Sequence, residues 1–284
     1  MVAWASAFVA IRSAGGDLAP GPLTLMRLGV AALILGAVCA VRRERLPGRR
    51  ELRGVLVCGI AWFGIYNLTL NAGERRVDAG TAAMLVYVAP IIIALLAGWL
   101  LGEGFPRALL LGCAVSFTGV LLIAVATSDG FRFGSGVLLC VISAVLYAVG
   151  VIAQKPVLAS RSSLAVTFSA CVVGLVVCLP FVPQLVADLG SASAGAIAWS
   201  VYLGAVPTAL AFTTWAYALS RVTAGRMANA SYLVPAIAVL MGWAILGETP
   251  AALAIVGGFV VLAGVAVAQR RRTGRRVPVG PPPD

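Results

Sequence analysis

Polar and aromatic side chains recur inside long apolar runs of this sequence, and their types suit binding better than catalysis. Amide and hydroxyl groups can donate and accept hydrogen bonds, and aromatic rings offer faces for stacking. A polar side chain is costly in hydrocarbon unless it faces the interior of a helix bundle. We therefore predict a pocket able to hydrogen-bond a zwitterion or an amide, lined by Trp4, Tyr66, Asn67, Asn71, Tyr87, Tyr147, Gln154, Tyr217, Asn229, Ser231 and Tyr232. The alternative for each residue is a hydrogen bond that only joins helices.

Two prolines, Pro90 and Pro235, lie near the centres of their apolar runs. Proline lacks an amide hydrogen and crowds the preceding turn, which predicts free carbonyls at Val86 and Ser231. Free carbonyls are tolerated at membrane depth only beside protein or a water-filled cavity. We predict that both prolines are hinges beside a cavity. The alternative is a kink that only shapes the packing.

Charged residues are rare within and beside these runs. Glu103 and Glu248 end their runs just before Pro106 and Pro250, so we interpret them as interfacial carboxylates that cap the following helix. A proton relay is the alternative role for them. Arg27 lies about one and a half turns inside its run, close enough to the outer surface for its side chain to reach water. Anchoring a substrate carboxylate is the alternative for Arg27.

Composition excludes most catalytic and metal sites. The chain has no histidine, no cluster of acidic residues and no phosphate-binding glycine loop with a lysine. It therefore lacks the groups of a nucleophile–base pair, a metal site or a nucleotide site, and we predict no enzyme activity and no cofactor. The six cysteines fall inside apolar runs without a Cys-x-x-Cys pair, and we interpret them as packing residues.

The elements that position these side chains are membrane helices. The chain is 61% apolar and only 11% charged, and a spanning helix needs roughly 20 apolar residues. We predict nine such helices, at 22–41, 54–73, 78–102, 107–126, 135–154, 164–183, 196–219, 224–246 and 251–268. A tenth run, 1–13, is short. Because residues 3–12 align with residues 146–155 of a longer run, we expect roughly ten further residues before Met1.

The net charge of +11 is unevenly distributed. If the N-terminus is cytoplasmic, the inside segments hold 16 of the 21 basic residues. This is the positive-inside pattern, and it predicts a multi-pass protein of the cytoplasmic membrane with both termini in the cytoplasm. Basic residues are not interleaved with aromatic residues on one domain, so we predict no nucleic-acid partner. The expected partners are the lipid bilayer and a small-molecule substrate, with the chain a monomer or a homodimer.

One long stretch occurs twice. MLVYVAPIIIALLAGWLLGE (84–103) returns as NASYLVPAIAVLMGWAILGE (229–248). At an offset of 145, 12 of the 28 positions from 76 to 103 are identical to their counterparts. We predict two related units, 1–126 and 134–268, followed by a basic, proline-rich cytoplasmic tail at 269–284. Five crossings per unit is an odd number, so the second unit is inverted, as is usual in secondary transporters.

These features resemble the EamA repeat of the drug/metabolite transporter superfamily. The resemblance covers essentially the whole chain, on the WASAFVAIR opening, Arg27 within PLTLMRLGVAALIL and the paired tyrosine–proline–LGE helices. It implies an all-α integral membrane protein with ten transmembrane helices in two inverted five-helix repeats, the first helix being incomplete. It also implies a central cavity that opens alternately to each face and moves small metabolites, often outward.

We therefore predict a secondary transporter that exports small organic metabolites, such as amino acids, amines or drug-like compounds, across the cytoplasmic membrane. Two near-equivalent halves can exchange conformations at little net cost in free energy, which favours alternating access. The alternative is a membrane-embedded enzyme or flippase that acts on lipid-linked substrates.

Overall fold

The computed structural model describes residues 1–14, 16–76, 85–127, 134–246 and 251–269, which are helical apart from short connections. The helices of this part of the chain are α1 (Val2–Ala14), α2 (Pro20–Arg42), α3 (Leu52–Glu74), α4 (Ala89–Leu100), α5 (Arg107–Thr127), α6 (Ser135–Val157), α7 (Ser163–Leu189), α8 (Ala194–Leu219), α9 (Ala224–Ala230), α10 (Leu233–Leu246) and α11 (Ala252–Gln269). Five of them, α2, α3, α6, α7 and α8, are long and apolar enough to cross a membrane. The all-α prediction is confirmed.

Two of the predicted runs differ from the helices. The run at 224–246 forms two helices, α9 and α10, separated by a turn at residues 231–232. The run at 78–102 begins in residues 77–84, which lie outside the described residues, and its later part forms α4. A proline near the start of α4 and of α10 explains why these helices begin where they do, since proline costs no backbone hydrogen bond in a first turn but removes one in a helix interior.

The connections between helices gather at two ends of the bundle. At one end the Arg161 Nε donates to Glu51 (3.0 Å), and the Ser162 hydroxyl donates to Glu44 (2.6 Å). The hydrogen bond from Arg161 lowers the pKa of Glu51 below its ordinary value. We call the end that carries these four residues the Glu51 end.

The opposite end carries a second set of contacts. The backbone amide of Ser193 donates to Asp17 (2.9 Å), and that of Ala19 donates to Asp188 (3.0 Å). We call the end that carries these four residues the Asp17 end. Ala19 immediately precedes α2, a helix of 23 residues whose other terminus is next to Glu44. The two ends therefore lie roughly 35 Å apart, about the thickness of a bilayer core with part of its interfaces.

Two helices widen into π-helical segments at corresponding positions. α3 does so at Gly59–Ile65 and α8 at Gly204–Leu210. The wide turn of a π segment disturbs the regular backbone hydrogen bonds and is frequent at functional sites. In α3 the Asn67 amide nitrogen donates to the carbonyls of Trp62 (3.2 Å) and Phe63 (2.8 Å). Because the two segments are offset by 145 residues, the repeat seen in the sequence extends to the backbone geometry.

α5 and α11, which correspond in the repeat, pack along a row of glycines. A Cβ atom at Gly119 would lie 2.6 Å from the carbonyl oxygen of Gly257, and one at Gly112 would lie 2.7 Å from that of Gly264. The contacts reverse the residue order, so the two helices run antiparallel. In the repeat Gly112 corresponds to Gly257, and Gly119 to Gly264. The contact is therefore reciprocal, as a two-fold axis between equivalent helices requires.

Candidate functional site

A cavity of about 720 Å³, including its open mouth, lies inside the bundle. Trp62 and Phe212 line it from the middle of α3 and α8, whereas Ile11 and Glu74 line it from the last turns of α1 and α3, near the Asp17 end. The cavity therefore extends from mid-bundle toward the Asp17 end. Its remaining walls come from both halves of the chain: Trp4, Ala7, Arg27, Tyr66, Asn67, Leu70, Val86, Tyr87, Tyr147, Ser231 and Val234.

Aromatic rings form the inner wall of the cavity. The Trp62 ring stacks on Tyr147 with centroids 5.0 Å apart and contacts Phe212 at 4.8 Å. Trp4 contacts Phe212 at 5.3 Å and Trp215 at 4.9 Å. We call these five residues the aromatic layer, and all of them except Trp215 line the cavity. Rings at these separations attract one another and exclude water, so the layer provides an apolar surface for a ligand.

Beyond the aromatic layer the bundle is closed toward the Glu51 end. The side chains of Ala216 and Leu219 in α8 are fully buried. The Lys155 ammonium at the end of α6 donates to the carbonyls of Leu219 and Val222. These contacts hold the connection that follows α8 against α6.

Glu103 closes the same end from the other half of the chain. Its carboxylate accepts hydrogen bonds from the backbone amides of Ala224 (2.7 Å) and Gly225 (3.2 Å), the first residues of α9. The prediction that Glu103 caps the helix that follows it is therefore wrong. Packing of α4 against α9 brings the positive N-terminal end of α9 beside the carboxylate. The counterpart of Glu103, Glu248, lies outside the described residues.

Arg27 lies in the cavity wall, where it is only 5% exposed. Its Nε donates to the Thr208 hydroxyl (2.6 Å), which in turn donates to the carbonyl of Leu203 (2.8 Å). The prediction that Arg27 extends to the outer surface is wrong. The side chain turns inward because Thr208, in the π segment of α8, offers an acceptor and the cavity offers space.

Glu74 is a cavity residue that the sequence analysis missed. It is the last residue of α3 and lines the same cavity as Arg27. The sequence prediction ended the apolar run at residue 73, which left this carboxylate in the connection. Glu74 lies three residues after Asn71 and seven after Asn67. Residues with this spacing share one helix face, so the spacing could have identified Glu74 as a cavity residue.

The structure brings six of the predicted binding residues together. Asn67 is 1% exposed, and its amide nitrogen is occupied by the backbone of α3. Its Oδ1 atom has no hydrogen-bond partner among the described residues. An acceptor is therefore available to a ligand at this point. The six predicted residues that line the cavity are Trp4, Tyr66, Asn67, Tyr87, Tyr147 and Ser231.

The other five predicted residues lie outside the cavity lining: Asn71, Gln154, Tyr217, Asn229 and Tyr232. The Asn71 amide donates to the Thr24 hydroxyl of α2 (2.9 Å), so it joins two helices. Tyr217 is 53% exposed on the outside of α8, with the Arg221 guanidinium 3.5 Å from its ring centre.

Like Asn71, three others of these five are buried between helices. Gln154 and Tyr232 are fully buried, and the Tyr232 ring lies 6.2 Å from that of Tyr87. The Asn229 amide points to the sulfur of Cys113 in α5 (3.6 Å). For Asn229, as for Asn71, the contacts match the alternative of a hydrogen bond that joins helices.

The two prolines lie in the first turns of α4 and α10. The chain turns at residues 87–88 before Pro90 and at residues 231–232 before Pro235. The Ser231 carbonyl accepts a hydrogen bond from the Val234 amide (2.9 Å). The prediction that this carbonyl is free is wrong, because the backbone tightens to an i+3 bond there.

The arrangement of two related halves around a cavity has a counterpart among known proteins. The model of the EamA-like transporter family matches residues 1–125 and, a second time, residues 134–269. The chain belongs to the EamA-like transporter family. It is thus a multi-pass membrane transporter and not an enzyme, as the sequence predicted.

This EamA-like transporter is 38% identical over 276 residues to the "Probable terminal-alkyne amino-acid exporter" of Streptantibioticus cattleyicolor, with 97% of the chain and 93% of that protein covered. It is 26% identical to the "Probable amino-acid metabolite efflux pump" of Salmonella typhimurium, with coverages of 93% and 90%. A solved crystal structure has the same fold, with a TM-score of 0.77 at 21% identity over 94% of this chain and 92% of the other.

The aromatic layer predicts how the EamA-like transporter responds to Phe212→Leu. Leucine keeps an apolar side chain but removes the ring contacts with Trp62 and Trp4, so the KM for an apolar substrate should rise roughly three- to tenfold, the equivalent of about 0.5–1.5 kcal/mol. This KM is measured from the concentration dependence of transport into everted vesicles. Phe259→Leu is the matched control, because Phe259 is 68% exposed on the outer face of α11. An equal change in both variants would contradict a role for the layer in binding.

Proposed function

We propose that this transporter exports small amphipathic metabolites, amino acids among them, by alternating access. One observation carries the proposal: the cavity extends to the Asp17 end, whereas buried side chains, Lys155 and Glu103 close the Glu51 end. A site that reaches one end and is sealed from the other is what one state of an alternating-access cycle requires.

We propose ten membrane crossings in two inverted repeats. The antiparallel, reciprocal contact between α5 and α11 supports inversion, since a two-fold axis that relates antiparallel helices lies perpendicular to them and hence in the membrane plane. The grouping of the connections at two ends supports crossings that alternate in direction. Positive residues favour the Glu51 end as the cytoplasmic one, with both termini on that side. The Asp17 end then faces outward.

The contacts of Glu103 suggest how the cytoplasmic end opens and closes. In the state described, its carboxylate joins the end of α4 to the start of α9 in the other half. We propose that this contact breaks when the cavity opens to the cytoplasm. The turns before Pro90 and Pro235 are the proposed hinges.

The chemistry of the cavity suggests the substrate class. Its inner wall is aromatic, and its polar groups lie at Asn67, Ser231 and Tyr66. Such a site suits a ligand with a hydrogen-bonding head and an apolar part. The two relatives named as exporters of amino acids or their metabolites support the same class, as well as the outward direction.

Transport into everted membrane vesicles tests the proposal. Vesicles from cells that overexpress the chain should accumulate radiolabelled L-leucine and L-propargylglycine, a terminal-alkyne amino acid, faster than vesicles from cells that lack it. Overexpression should also raise resistance to toxic amino-acid analogues. If neither amino acid accumulates while the protein is present in the membrane and correctly folded, the proposed substrate class is wrong.

A further inference from the structure

Two residues of opposite charge face the same cavity: Arg27, whose alternative role in the sequence analysis is to anchor a carboxylate, and Glu74, which the sequence analysis missed. Of the fifteen lining residues only Arg27 and Glu74 are charged. We propose that Arg27 binds the α-carboxylate and Glu74 the α-ammonium group of an α-amino acid whose apolar side chain packs on the aromatic layer. This inference rests on the proposed transport function and names the groups that recognise its substrate.

The guanidinium of Arg27 is held in a way that favours a carboxylate ligand. Its Nε is engaged by Thr208, and Thr208 is fixed by the carbonyl of Leu203. The two terminal nitrogens carry the remaining donors of the guanidinium, and their planar geometry matches the two oxygens of a carboxylate. Because the side chain is only 5% exposed, a bound anion would interact with it in a medium of low dielectric constant.

Glu74 supplies the opposite pole. It lines the same cavity as Arg27, so the site holds one positive and one negative group. The Oδ1 of Asn67, two helical turns before Glu74, has no hydrogen-bond partner among the described residues and adds an acceptor for an N–H group. A zwitterion can bind to both Arg27 and Glu74 and leaves the net charge of the site unchanged. An amine or a carboxylic acid can bind to only one of the two side chains. An unpaired charge in such a site is costly.

The charged pair also breaks the symmetry of the repeat. At the offset of 145 the counterpart of Arg27 is Val172, and that of Glu74 is Leu219, which is fully buried in the closed end. Residues that shape the common architecture, such as the glycines of α5 and α11, recur in both halves. A pair present in one half alone is instead expected where a single asymmetric ligand binds.

Binding of four related probes to the purified chain tests the inference. The probes are L-leucine, leucinamide, N-acetyl-leucine and 3-methylbutylamine. They share one apolar side chain but differ in whether they carry a free carboxylate and a free ammonium group. The wild-type protein should bind L-leucine at least tenfold more tightly than the other three. Arg27→Gln should weaken L-leucine binding roughly 10- to 100-fold, the range of a hydrogen bond to a charged group, and leave leucinamide binding unchanged. Glu74→Gln should abolish the preference over N-acetyl-leucine.

Two further variants keep the test decisive. Arg27→Lys retains the charge without the paired donors and should fall between the wild type and Arg27→Gln, which covers the case in which Arg27→Gln does not fold. Arg76→Gln is the control, because Arg76 is exposed near the same end and does not line the cavity.

The outcomes separate this inference from the proposed function. Equal affinity of the wild-type protein for L-leucine and leucinamide would overturn the assignment of Arg27, even if vesicles accumulate leucine. Unchanged probe ratios in Arg27→Gln and Glu74→Gln would overturn the assignment of both residues. Failure of wild-type vesicles to accumulate either amino acid would instead overturn the proposed function.

Discussion

Glu103→Gln should open the Glu51 end of the transporter, the end that we propose to be cytoplasmic. The carboxylate accepts two backbone hydrogen bonds at the N-terminus of α9, and the neutral amide loses both the charge and part of the acceptor capacity. A charge-assisted contact of this kind contributes about 1.5–3 kcal/mol, so the ratio of molecules open at the Glu51 end to molecules closed there should rise by roughly tenfold or more.

Thiol labelling measures this shift. In a background without the native cysteines, Ala216→Cys places a thiol in the fully buried region between the aromatic layer and the Glu51 end. An impermeant maleimide added to everted vesicles should label it about tenfold faster in the Glu103→Gln variant, in proportion to the open population. An unchanged labelling rate in this variant would contradict the proposed gate at Glu103.

Gly257→Ala should destabilise the protein strongly, whereas Gly258→Ala should not. A Cβ atom at Gly257 would lie 2.7 Å from the carbonyl oxygen of Gly119, and the antiparallel helices would have to separate to admit it. Overpacking of this kind costs about 1–3 kcal/mol. A Cβ atom at Gly258 meets its nearest neighbour, Ala236, only at 4.0 Å. Alanine there relieves the conformational cost of glycine in a helix, so a gain of about 0.5–1 kcal/mol is expected.

The two alanine variants differ by one position in the same helix, which makes them a matched pair. Thermal unfolding in detergent, followed by tryptophan fluorescence, should give a lower Tm for Gly257→Ala and an equal or higher Tm for Gly258→Ala. Equal Tm values would show that the close approach of α5 and α11 does not stabilise the fold. The same result would weaken the argument for inverted repeats, which uses this contact.

Much of the architecture is readable in the sequence because the membrane constrains it. Long apolar runs predict spanning helices, since backbone hydrogen bonds must be satisfied within each segment in lipid. The repeated LGE motif, the paired tyrosines and the glycines at a constant offset reveal two related halves without any structure. The same residues carry the resemblance to the EamA-like family, which the family match confirms over both halves.

The direction in which individual side chains point was decided only by the tertiary structure. A helix that is apolar on all sides has no periodic pattern to indicate its inner face, so Tyr217 could be assigned to the cavity although it faces outward. Arg27 turns inward because of Thr208, which is 181 residues away in the chain. Glu103 caps α9 instead of α5 because the packing of the helices brings the start of α9, 121 residues further along the chain, beside its carboxylate.

The sequence by itself therefore determined the membrane setting, the helices and the duplication, all of which follow from local composition and from comparison of the chain with itself. Only the tertiary structure decided which polar residues share the cavity, that Arg27 and Glu74 both face it, and which end is closed. The physical reason is that these properties depend on contacts between helices distant in sequence, whose relative rotation no single apolar run encodes.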